Sequence, residues 1–108
     1  MDTNRYIETL KDKYRGRMNV ALRQALCYYL YSENIPCYII AHILGISRRL
    51  TYIHIYRARD LIEVNDSIIN FALEETKNHS IFIRPCTVDG GIISKHIGYK
   101  MIVDNVVY

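Results

Sequence analysis

The chain reads as a mainly α protein with a small β appendage: a helix-turn-helix bundle of four to five helices, followed by a C-terminal β-hairpin or two to three short strands. Three observations predict this. Apolar residues recur at helical spacing through the first three quarters of the chain. Pro36 to Ile62, PCYIIAHILGISRRLTYIHIYRARDLI, has the form of a short apolar helix, a tight turn at Gly45-Ile46-Ser47 and a longer helix opening at Arg48-Arg49. After Ser80 the apolar period changes from helical to two, the spacing of a strand.

A chain of 108 residues makes one domain, and we expect a helical unit over 1–78 with an extension over 79–108 that does not fold alone. Half of the residues are hydrophobic and 23% are charged, with 5 Gly and 2 Pro, a globular rather than a disordered composition. Cys27, Cys37 and Cys86 form an odd set without CxxC spacing, which points to reduced thiols in a cytoplasmic protein. The first residues, MDTNRYIETLKDKYRGR, lack the apolar region of a signal peptide. The apolar run from Ala25 to Ile46 is broken at Ser32-Glu33-Asn34 and Pro36, so no membrane association is expected.

Taken in order, Tyr6, Leu10 and Tyr14 with Ile7 predict a short amphipathic helix over residues 3 to 14, stopped near Gly16. Val20, Ala21, Ala25, Leu26, Tyr29 and Leu30 predict the central helix, ending at Ser32-Glu33-Asn34. Pro36 belongs in the first turn of the next helix, where its missing N–H costs nothing, and Ile39, Ile40, Ile43 and Leu44 give that helix a broad buried face. Gly45 suits a left-handed helix end, and Ser47 suits the N-cap that follows. Asn65-Asp66-Ser67 ends the second motif helix and caps another, whose acidic residues suit a supporting role. In the tail, Asp89-Gly90-Gly91 predicts a hairpin turn before Ile92-Ile93, and Pro85 confines the first strand to an edge or a bulge. A lone hairpin is marginal in water, so the tail must lie on the helices, gain a third strand or pair with another chain; a wing with Arg84, Lys95 and Lys100 reaching DNA and strand exchange in a homodimer through residues 80–108 both fit.

The net charge of +3 is mild, but it is segregated along the chain. No Asp or Glu occurs from Cys37 through Arg59, whereas Asp60 to Glu75 holds five acidic residues and no Lys or Arg. At about 100° per residue, Arg48, Arg49, Tyr52, Tyr56 and Arg59 share one face of the second motif helix, with Leu50, His54, Ala58 and Leu61 opposite. Arginines take base edges or phosphate, and tyrosines donate to phosphate or stack, so this face predicts contact with double-stranded DNA.

From about Arg17 to Leu61 the chain resembles the C-terminal DNA-binding domain of the bacterial replication initiator DnaA, in the Trp repressor-like helix-turn-helix superfamily. Arg23-Gln24, the run Tyr28-Tyr29-Leu30, Ile40, Leu44-Gly45, then Thr51, His54 and Arg57 carry the likeness. The resemblance implies DNA contacts at Arg23 and at the start of the second motif helix, Arg48 to Thr51, with Ser47 in the turn. The family's signature in that turn, Gly-Gly-Arg-Asp-His-Thr-Thr-Val, stands here as Gly45-Ile46-Ser47-Arg48-Arg49-Leu50-Thr51-Tyr52, so the target should differ from a DnaA box. There is no Gly-rich phosphate loop of an ATPase. Periodicity places His54 and Arg57 on the inner side or flank of their helix, whereas the resemblance allows them near DNA.

The candidate DNA-binding set is therefore Arg23, Ser47, Arg48, Arg49, Thr51, Tyr52, Tyr56 and Arg59. No catalytic motif, no metal-ligand spacing among the Cys and His residues, and no cofactor or small-molecule site is recognised. The expected function is a small transcription or replication regulator of bacterial or bacteriophage type. The competing expectation is a non-enzymatic adaptor whose basic helical face and strand tail bind a protein.

Overall fold

The computed structural model describes residues 5–14, 16–89 and 95–108. Among the described residues, five helices precede a three-stranded sheet: α1 (Arg5–Lys13), α2 (Arg17–Ser32), α3 (Cys37–Leu44), α4 (Arg48–Glu63), α5 (Ser67–Lys77), β1 (Ile81–Asp89), β2 (Lys95–Val103) and β3 (Val106–Val107). The chain is mainly helical with a small antiparallel sheet at its C-terminal end, the predicted class.

Just beyond α2, α3 and α4 the chain passes through a left-handed residue. Asn34, Gly45 and Asn65 take φ of 66°, 68° and 58°. In each case the next residue donates its N–H to a carbonyl one turn back: Ile35 to Leu30, Ile46 to Ala41 and Asp66 to Leu61, at 3.1, 3.1 and 2.9 Å. These paired closing bonds satisfy carbonyls that the helix itself leaves open. Pro36 stands one position outside α3, as its N-cap, with ψ of 147°. Ser47 caps α4 by accepting from Leu50 N–H at 3.0 Å, and Asp66 caps α5 by accepting from Ile69 N–H at 2.9 Å.

α2 lies at the centre. Its Ala25, Leu26, Cys27 and Leu30 are buried against α1 (Tyr6, Ile7, Leu10), α3 (Ile40, Leu44), α4 (Ile55, Ala58) and α5 (Ile69, Ala72). Val20, expected inside, is instead exposed on the α2 surface.

The sheet runs β1-β2-β3, with β1 and β2 in register from Ile81↔Val103 to Asp89↔Lys95. Pro85 therefore sits on an edge strand, where the missing N–H breaks no bond between sheet neighbours. The expected turn at Gly90-Gly91 and strand start at Ile92-Ile93 lie outside the described residues. A second hairpin, β2 to β3, turns at Asp104-Asn105, whose φ values of 50° and 69° are those of a two-residue type I′ turn. The base of the sheet belongs to the helical core: Met101 and Val103 are buried in it, and the Tyr108 ring meets Tyr6 edge-on at 5.4 Å.

Candidate nucleic-acid interface

Gly45 and Ser47 set where α4 begins. The left-handed glycine ends α3, two residues later the serine hydroxyl opens α4, and the first helical residues are Arg48 and Arg49. Cys37 at the start of α3 is held against this end, its Sγ 3.8 Å from the Arg48 carbonyl. The charges of α4 run against its own dipole. No acidic residue occupies its first turn and no basic residue its last; two arginines sit at the positive end, while Asp60 and Glu63 lie toward the negative one. Helix stability alone favours the reverse by about 0.3–1 kcal/mol per charge, so local folding does not account for this arrangement.

Outward from the core, α4 presents a ladder of arginine and tyrosine. Tyr52 and Tyr56 stack with ring centres 6.0 Å apart and planes at 21°. The Arg59 guanidinium lies 5.0 Å from the Tyr56 ring centre, and the Arg48 guanidinium 5.7 Å from that of Tyr38. Tyr31, from the end of α2, joins the electrostatic surroundings of Tyr52. The neighbouring Cys37 thiol, then partial desolvation, holds the Tyr52 phenol above its ordinary pKa. Tyr31, Tyr38, Tyr52 and Tyr56 are 42–51% exposed, an amount of aromatic surface that a solvated helix does not need. Asp60 lies 3.9 Å from Arg59 Nε with both side chains well exposed, so it neutralises little.

The predicted residues divide accordingly. Arg48, Arg49, Tyr52, Tyr56 and Arg59 all face outward on α4, and the first, third, fourth and fifth of these make the ladder with Tyr38. Ser47 is exposed and engaged as the cap. Thr51 is a correction: it is fully buried, and its hydroxyl donates to the Ser47 carbonyl at 2.9 Å, so it braces the helix start from within. The inward face is also rotated from the expected one. Thr51, His54, Ile55 and Ala58 are its buried residues, and Leu50, expected inside, is 37% exposed. A stripe centred between Thr51 and Ala58 leaves Leu50 about 100° from Thr51 and outside the seam.

Arg23 is not part of the ladder. It is half-buried on α2, beside His54 on the other flank of α4, with its Nε sealed from solvent. His54 is buried, as periodicity implied, and burial, then Arg23 and Arg57, lowers its pKa below 6.5.

Tyr31 and Tyr38 stand outside the candidate set that the sequence singled out. The available signal was position: Tyr38 and His42, four residues apart, are the residues of α3 that stay exposed on an otherwise apolar helix.

No protein family, no curated protein and no solved structure matches this chain. No described helix is long and apolar enough to cross a membrane. Among the described residues no three His, Cys, Asp or Glu side chains converge as metal ligands.

Proposed function

We propose that this chain binds double-stranded DNA, laying α4 against the major groove with Arg48 and Arg49 leading. The observation that carries the reading is the coincidence at one point of the α4 positive dipole end, two arginines that oppose folding there, and an exposed tyrosine ladder. A phosphate backbone supplies the negative charge this surface lacks, and base edges supply acceptors for arginine. The role is that of a small cytoplasmic regulator of transcription or replication, of bacterial or bacteriophage type. The scaffold is DnaA-like with its own recognition residues, Ser47 to Tyr52. One helix reads few base pairs, so specific binding calls for two copies on two half-sites.

The test is duplex binding across a salt series. Affinity should fall linearly in log–log form, and Arg48→Ala and Arg49→Ala should each weaken binding and make the slope shallower by about one. Unchanged binding and slope in the double variant would remove α4 as the reading element.

The adaptor reading is favoured by the exposed edge pair Val106-Val107, because an uncovered sheet edge presents backbone N–H and C=O groups to another strand. Co-purification of a protein partner that survives nuclease treatment and requires residues 80–108 would favour it.

A further inference from the structure

Arg5 at the start of α1, His42 on α3 and Lys100 on β2 line one open groove of about 410 Å³, with Tyr99, Val107 and Tyr108 between them. All three basic side chains are exposed. No acidic side chain lines the groove, and among the described residues no carboxylate side chain forms an ion pair with any of the three. Elements far apart in sequence thus bring their basic groups to one space without an acidic side chain.

The fold does not account for this placement. Lys100 stands directly opposite Arg84 in the β1–β2 register, and both side chains are exposed. Like charges facing each other across two strands destabilise a sheet. His42 is exposed on a helix whose other residues, Tyr38 apart, are buried. The groove also extends the tyrosine ladder: His42 lies four residues beyond Tyr38, about 6 Å along α3, and Tyr38 carries the Arg48 guanidinium. Arg5 and Lys100 stand outside residues 17–61, the segment that resembles an initiator domain.

We propose that Arg5, His42 and Lys100 hold a phosphate group, a backbone phosphate of the duplex that α4 enters. The groove is more than ten times the roughly 30 Å³ share of one water, so a phosphate fits with part of its hydration. Guanidinium, ammonium and imidazole nitrogens all donate to phosphate oxygens, and charge-assisted bonds of this kind are strong. Such contacts fix register and orientation rather than read sequence, so α1 and the sheet set how α4 lies in the groove of the DNA. The site rests on the DNA reading only for the bearer of the phosphate.

The probe is inorganic phosphate titrated into the whole chain at fixed pH and constant ionic strength, with chloride and acetate as controls and the imidazole signals followed by NMR. His42 should move saturably with phosphate alone, while buried His54 stays in place. Arg5→Gln combined with Lys100→Gln, two exposed changes that leave the core intact, should abolish that movement. The same pair should make the salt slope of duplex binding shallower by about one, and should do so in the Arg48→Ala background as well. No saturable movement of His42, an equal movement with acetate, or a movement that survives the double change overturns the site even if duplex binding through Arg48 persists. Movement with phosphate but an unaltered duplex slope in the double variant overturns the backbone phosphate as occupant. Movement with phosphate in a chain that binds no duplex upholds the site and overturns the DNA reading instead.

Discussion

His79 Nδ1 lies 2.6 Å from Asp104 Oδ2, which ties the segment after α5 to the turn between β2 and β3. The other carboxylate oxygen accepts Ser80 N–H at 2.8 Å, and Asp104 N–H donates to the Ser80 carbonyl at 2.8 Å. The Ser80 N–H first, and His79 second, hold the Asp104 carboxyl below its ordinary pKa of 3.8. A carboxyl depressed in the folded state adds stability above the unfolded value and loses it as pH falls through the folded one. Asp104→Asn keeps the tolerance for a left-handed turn but removes the charge. It should lower Tm at pH 7 and flatten the loss of stability below about pH 4 relative to the parent chain, read by thermal melts from pH 7 to 2.

Arg48 and Arg49 oppose the α4 dipole, so binding and stability should move in opposite directions when they are removed. Either alanine variant should weaken duplex binding yet unfold at the same or higher urea concentration, with a gain of about 0.3–1 kcal/mol at low salt. A loss of stability in both would mean that these arginines serve the fold.

The turn between α3 and α4 carries two separable contributions. Gly45→Ala must hold a Cβ at φ of 68°, costing about 1–2 kcal/mol, and Ser47→Ala loses the cap bond to Leu50, costing about 1 kcal/mol. Urea unfolding of the single and double variants measures both. The two changes lie close together, so their effects need not add.

His54 is buried and neutral at pH 7, its pKa lowered by burial and then by Arg23 and Arg57. The unfolded chain takes up a proton near pH 6.5 that the folded chain refuses until lower pH. Stability in phosphate-free buffer should therefore decline as pH falls from 6.5 toward 5, and His54→Gln should remove that slope.

Met101 is fully buried in the helical core although it comes from the sheet. Met101→Ala should cost about 2–5 kcal/mol, and helix and sheet signals should still be lost together on unfolding. Separate transitions for circular dichroism and for a Tyr6–Tyr108 probe would show that the sheet is not part of the core.

Much of this molecule is readable from local chemistry. Pro36, Gly45, Ser47 and Asp66 act through their own backbone angles or through bonds to residues two or three positions away, so the ends of α3, α4 and α5 follow from the residues themselves. The acid-free run to Arg59 and the change of period after Ser80 are equally local. What the linear chain leaves undecided is rotation and neighbourhood. Whether Thr51 or Leu50 faces inward depends on how α2 lies across α4, and a helical repeat near 100° leaves either edge of the stripe open. Tyr31 and Tyr38 join Tyr52 only because the end of α2 and the start of α3 meet beside α4. Arg23 and His54, thirty-one positions apart, share one cavity for the same reason. Caps and turns are decided by short-range hydrogen bonds and sterics, whereas the recognition surface is decided by packing among helices distant in sequence, and only the tertiary structure supplies that.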